Sequence, residues 1–134
     1  MTTAMIDLSK GIAVDAAHSI KNKVTEIQGV DLETGEIVFY KELGNQTINI
    51  GEFLAIVEGI KHITKYNKPK IIFSDSVTAI SWVKRKRTAS KKRNKHVQMA
   101  EIYLKVAAYW VDKVEIIHWD NEAWGEIPAD FGNK

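Results

Sequence analysis

The spacing of apolar residues changes period near residue 45, and that change limits the folds open to the chain. Residues 10–18 (KGIAVDAAH), 23–31 (KVTEIQGVD) and 36–43 (EIVFYKEL) read as strands, rich in residues that suit a pleated surface. Short turns such as Glu33-Thr34-Gly35 separate them, which points to an antiparallel meander. Beyond them, Phe53, Ile56, Ile60 and Ile63 recur at helical spacing, with Leu54 and Val57 widening the stripe. Asn49 and Gly51 place the start of this helix near Glu52, and Asn67-Lys68-Pro69 ends it. Residues 70–75 (KIIFSD) read as a short buried strand, and Ser76 as the cap of a helix over 77–84. Val97, Ala100, Leu104, Ala107 and Val111 mark one further helix, and 114–119 (VEIIHW) a last strand followed by a polar loop.

The order βββαβααβ predicts an α/β fold with a five-stranded mixed sheet, three antiparallel strands and then two parallel ones, flanked by helices. Right-handed crossovers join the parallel strands, and ligands of such sheets lie beyond their carboxyl ends. At 134 residues the whole chain is expected to form a single domain. There are no cysteines, which excludes disulfides, thiolate zinc sites and cysteine nucleophiles. The four histidines, at 18, 62, 96 and 118, lack zinc-type spacing. Apolar runs fall short of the roughly 18 residues of a membrane span, and the N-terminus lacks the pattern of a signal peptide. The expectation is a cytoplasmic protein with no membrane partner.

Charge is unevenly distributed. Residues 84–95 (KRKRTASKKRNK) hold eight of the 19 basic residues and no acid, leaving 11 basic against 17 acidic residues elsewhere. A basic segment on an acidic body fits a polyanionic partner together with a site that collects cations.

The acids that matter stand at element boundaries. Asp15 interrupts an apolar strand, Glu52 opens a helix, Asp75 ends IIFSD, and Asp130 follows in the terminal stretch WGEIPADFGNK. Carboxylates brought together repel one another, which raises their pKa values unless cations bind. Oxygen ligands alone favour Mg2+ or Mn2+, and such sites serve two-metal phosphoryl transfer.

The segments IAVDAAHS, GVDLETGEIVF, GEFLAIVEGI, IIFSDSVTAISWV and WGEIPADFG, taken in order, resemble type 1 ribonuclease H in its compact bacterial form that ends just after the last catalytic aspartate. The resemblance covers roughly residues 10–134. It implies the ribonuclease H-like fold and an endonuclease that cleaves the RNA strand of RNA–DNA hybrids with two Mg2+ ions, leaving a 5′-phosphate; Mn2+ is expected to substitute. It also implies that Asp15 bridges both metals, that Asp130 binds the metal that activates water, that Glu52 and Asp75 complete the other, and that Glu126 is an accessory carboxylate. Thr47 and Asn49 match positions that hold a phosphate of the DNA strand, and Trp82 one that packs on the DNA backbone. Ser90 is expected to be a further phosphate contact. The basic loop at about 84–95, with Lys84, Arg85, Lys86, Arg87, Lys91, Lys92 and Arg93, is expected to supply salt-dependent affinity without reading sequence. A monomer with no obligate protein partner and no separate hybrid-binding domain is expected. Trp124 and Phe131 are expected to anchor the terminal stretch, which orders fully only when metal and substrate bind.

The chain departs from that family in one respect. A Gly-Asn-Pro-Gly turn is replaced by Ile20-Lys21-Asn22-Lys23, one groove-reading amide by Ile48, and a glutamine found in some relatives by Val77. Amides in the minor groove of an A-like duplex help to tell RNA from DNA, and each lost hydrogen bond is worth on the order of 1 kcal/mol. An intact metal site with altered substrate discrimination is therefore expected. The alternatives are a non-catalytic nucleic-acid-binding module and another nuclease of the same fold, such as a junction resolvase.

Overall fold

The computed structural model describes residues 7–91 and 94–131. Strands β1 (Ile12–Ser19), β2 (Val24–Asp31) and β3 (Ile37–Glu42) form the expected meander. Helix α1 (Ile48–Tyr66) follows, then β4 (Ile71–Ser74), α2 (Val77–Arg85), α3 (Lys95–Val106), α4 (Ala108–Val111), β5 (Glu115–His118) and α5 (Asn121–Trp124). The sheet order is β3-β2-β1-β4-β5, antiparallel across β1, β2 and β3 and parallel across β1, β4 and β5. This is the predicted mixed α/β architecture.

Three boundaries differ from the sequence reading. Helix α1 begins four residues before Glu52, because the Thr47 side chain caps it by accepting from the Ile50 N–H at 3.2 Å. The apolar stripe over 97–111 is split at Ala107, whose φ of −95° and ψ of 20° leave the helical region, so it forms α3 and α4. The loop after the last strand contains a single turn, α5, capped by Asp120. Ser76 caps α2 as expected, accepting from the Ala79 N–H at 3.1 Å.

Alternation along β1 divides its neighbours into two layers. Ile12, Val14 and Ala16 face α1 and pack with Phe53, Ile56 and Ile60. Ala13 faces the opposite side and packs with Phe73, Trp119, Ile127 and Ala129. Each large side chain buried in this way stabilises by about 2 kcal/mol, and together they fix the rotation of α1 about its axis. Two glycines set its height above the sheet. A Cβ at Gly51 would stand 2.8 Å from Thr25 Cγ2 and 3.1 Å from Ala16 Cβ; one at Gly59 would stand 3.1 Å from both Ile72 Cδ1 and Val14 Cγ1.

Strand β1 runs past its parallel neighbour. Its ladder with β2 extends from Ile12↔Asp31 to Ser19↔Val24, but its ladder with β4 ends at Ala13↔Phe73. Asp15 thus lies within a strand, and its β4 flank is open because β4 stops at Ser74.

Gly51→Val should lift the first turns of α1, because Thr25 is held in place and cannot yield. Chemical denaturation is expected to show a loss of about 2 kcal/mol from overpacking, which outweighs valine's better helix propensity. Unchanged stability would show that the close approach of α1 is not required.

Candidate metal centre

Continuing the β1–β4 register two residues past its last pair, Ala13↔Phe73, brings Asp75 level with Asp15. Glu52, in the second turn of α1, reaches the same place from above. One oxygen from each of Asp15, Glu52 and Asp75 lies within 4.8 Å of the others, and this is the metal-type cluster among the described residues. Asp15 and Glu52 are buried, while Asp75 is half-buried.

The electrostatics are those of crowded acids. Burial, then the Asp75 charge, raises the Asp15 carboxyl from 3.8 to about 7, and Asp130 adds to the effect. Burial, followed by the Asp15 and Asp75 charges, pushes Glu52 from 4.5 up to about 10. Crowding of this kind favours a proton on one of the two carboxyls when no cation is bound. One Glu52 oxygen, Oε1, is buried without any partner. An orphaned buried carboxylate oxygen beside two more acids is a donor set without its acceptor, and hard divalent cations such as Mg2+ or Mn2+ fit it. Asp15, Glu52 and Asp75 would hold such an ion.

Asp130 lines the same cleft as Asp15, together with Gln28, Tyr40 and Phe131. It is carried there by the terminal stretch, whose path protein contacts define. Ile127 and Ala129 are fully buried. Gln28 Nε2 donates to the Ala129 carbonyl at 2.7 Å, and Trp119 Nε1 to that of Gly125 at 2.8 Å. Trp124 packs edge-on against Trp119 and Phe73, and the Phe131 ring meets that of Tyr40 at 6.4 Å. As far as Phe131 the stretch lies on the apolar layer under β1, with Trp124 and Phe131 making the anchoring ring contacts expected of them. Asn121 adds a link that sequence reasoning missed. Its Nδ2 donates to Asp75 Oδ2 at 3.1 Å while its Oδ1 accepts from the Ile127 N–H at 3.1 Å, tying one acid to the segment carrying another. Glu126 is exposed on the same stretch.

No family model matches the sequence. Among solved structures, the N-terminal RNase H domain of Rv2228c from Mycobacterium tuberculosis, determined as a fusion with maltose binding protein, aligns at 13% identity. The match covers 86% of this chain and 90% of that one, with a TM-score of 0.51. RNase H1 from the halophilic archaeon Halobacterium salinarum NRC-1 aligns at 14% identity over 84% of this chain and 86% of that one, with a TM-score of 0.53. This is a ribonuclease H-like fold.

On the ribonuclease H-like frame, the expected nucleic-acid contacts take varied positions. Thr47 and Asn49 are exposed at the start of α1. Trp82 is largely buried, 7% exposed and edge-on to Phe53 at 6.2 Å. Its place on the buried face of α2, beside Ala79 and Val83, explains why. Lys84, Arg85, Arg87 and Lys91 are exposed, and Ser90 is half-buried. Lys86 caps α2 and pairs with Asp112 at 2.7 Å. Lys92 and Arg93 lie outside the described residues. The basic segment is anchored inward by Thr88, whose N–H and hydroxyl both donate to buried Glu101 Oε2, at 2.8 and 3.1 Å. Among the described residues no helix is long and apolar enough to cross a membrane.

The raised carboxyls set a pH dependence. Both bind a proton more tightly in the folded chain than at their ordinary values of 3.8 and 4.5, so the folded state holds more protons between about pH 4 and pH 10. Stability without metal therefore falls as pH rises through that window. Thermal melts of metal-stripped protein should show a lower Tm near pH 8 than near pH 5. Millimolar Mg2+ should raise Tm by several degrees near pH 8 and by much less near pH 5. An equal metal shift at both pH values would mean that these acids do not bind the ion.

Proposed function

We propose that the chain is an endoribonuclease that hydrolyses the RNA strand of RNA–DNA hybrids with two divalent cations, leaving a 5′-phosphate. The observation that carries this reading is the carboxylate cluster itself: three acids within 4.8 Å on a ribonuclease H-like frame, with Asp130 bordering the same cleft. A purely binding module would have no use for an orphaned Glu52 oxygen and two raised carboxyls. Mg2+, or Mn2+ in its place, would supply charge for the scissile phosphate and an activated water. In this reading Asp15, Glu52 and Asp75 would hold one ion, and Asp15 with Asp130 the other. Asn121 keeps Asp75 oriented, and exposed Glu126 assists exchange at the Asp130 side. Thr47, Asn49, Ser90 and the exposed basic residues of 84–95 hold phosphates, with affinity that falls as salt rises. The 134 residues act as a single domain, as a monomer, in the cytoplasm.

The test is a labelled RNA–DNA hybrid incubated with Mg2+ or Mn2+, beside Asp75→Asn. Wild type should cut the RNA strand, and Asp75→Asn should lose at least a hundredfold in rate through the lost ligand charge. An intact RNA strand under both metals would defeat the reading.

Substrate discrimination is a separate matter. Ile48 is 44% exposed in the first turn of α1, Val77 65% exposed in the first turn of α2, and Ile20 84% exposed at the end of β1. The two helices deliver Glu52 and follow Asp75, so Ile48 and Val77 occupy the helix starts where amides would read a groove. Cleavage of double-stranded RNA relative to hybrid should therefore be appreciable, and Ile48→Asn should shift the ratio severalfold toward hybrid. Strict hybrid preference in the wild-type protein would refute this.

A further inference from the structure

The loop between β3 and α1 contains one residue whose four hydrogen bonds reach three other residues, two of them in distant segments. Gln46 is 6% exposed. Its N–H donates to Thr25 Oγ1 at 3.1 Å, and its carbonyl accepts the Thr25 hydroxyl at 2.9 Å. The Thr25 proton is thereby committed, so the 2.8 Å contact between Thr25 Oγ1 and His18 Nδ1 is donated by the imidazole N–H. The Gln46 side chain is fully directed as well. Its Nε2 donates to the Leu43 carbonyl at 2.8 Å, and its Oε1 accepts from Asn94 Nδ2 at 2.7 Å.

The two ends of that last bond matter. Gln46 directly precedes Thr47, the cap of the helix that delivers Glu52. Asn94 lies within the basic segment and caps α3, its Oδ1 accepting from the Val97 N–H at 3.1 Å. One side-chain bond thus joins the basic segment to the start of α1 across 48 residues of sequence. On its other side the segment is held by Thr88 and Glu101. The chain His18–Thr25–Gln46–Asn94 runs from β1, three residues past Asp15, to the basic segment.

We propose that Gln46 is a positioning residue that sets the basic segment at a fixed separation from the metal centre, so that both engage one duplex at once. The proposal rests on the hybrid-nuclease reading above. Two linked contacts reinforce each other only if the geometry lets them bind together, and a fixed tether supplies that geometry. A flexible basic loop would still attract phosphate, but each of its contacts would form independently of the seating of the scissile strand. The buried, doubly clamped backbone of Gln46 makes it a rigid reference for this purpose. Its carbonyl-type Oε1 accepts from Asn94 without adding charge to a basic neighbourhood.

Asn94→Asp tests this closely. It keeps an oxygen to cap Val97 but loses the N–H donor to Gln46. Hydrolysis of a labelled hybrid should show KM raised about fivefold with kcat within twofold of wild type. In an Asp75→Asn background, the plot of log binding constant against log salt should become shallower by about one phosphate contact, a slope change of roughly 0.9. A merely destabilising change would not alter that slope well below Tm. Gln46→Met should reproduce both effects. Arg87→Ala should weaken binding in the wild-type frame but add little to Asn94→Asp, a non-additivity that marks a shared function. Unchanged KM and salt slope in Asn94→Asp, or full additivity with Arg87→Ala, would overturn the proposal. Absence of hybrid cleavage by wild type would instead bring down the parent reading, and this one with it.

Discussion

A carboxylate buried beside two others costs folding free energy, and the chain accommodates it by bringing α1 close enough to β1 for Glu52 to meet Asp15. That approach depends on two absent side chains. Gly51 and Gly59 leave the helix room over Ala16, Thr25, Val14 and Ile72, and the apolar stripe from Phe53 to Ile63 fixes its rotation. If the helix were raised by the thickness of a methyl group, Glu52 would draw away from Asp15 and the three acids would no longer converge. The electrostatic tension of the site is therefore imposed by packing and is not a local accident of the acids.

The second determinant is the unequal length of neighbouring strands. Because β4 ends where β1 continues, an aspartate inside β1 becomes accessible from the side, and one just beyond β4 comes level with it. Asp130 approaches along the opposite face, on a segment held by Ile127, Ala129 and the Gln28 amide. The four acids thus come from a strand interior, a helix, a strand end and an irregular stretch. Each is placed by a different kind of backbone support, and the Asn121 bridge couples two of them.

Much of this was legible in the sequence. The succession of strands and helices followed from the change of apolar period, and Ser76 announced α2. The acids stood out because they interrupt or terminate apolar runs. Other features left no such trace. Thr47 capped α1 earlier than expected because Asn49 and Gly51 also resemble a helix start. Ala107 breaks a continuous apolar stripe without a glycine or proline to mark it. Trp82 reads equally well as surface or core until the rotation of α2 is known, and α2 turns it inward against Phe53. Gln28, Gln46 and Asn121 act through long-range hydrogen bonds, and one amide in a polar stretch gives no periodic signal. Local pattern reveals elements and their order, whereas such bonds depend on register, which only the assembled sheet defines.

The aromatic layer beneath the site has a spectroscopic consequence. Trp119 and Trp124 stand edge to face, 5.2 Å apart between ring centroids, and both meet Phe73. They flank Asp120 and Asn121, and the Trp119 indole N–H is bonded to the Gly125 carbonyl on the way to Asp130. An indole's emission depends on its hydrogen bonding and on the rings around it. The segment that carries the last acid is therefore wired to a pair of native fluorophores, so the protein contains its own optical gauge of how that acid is seated.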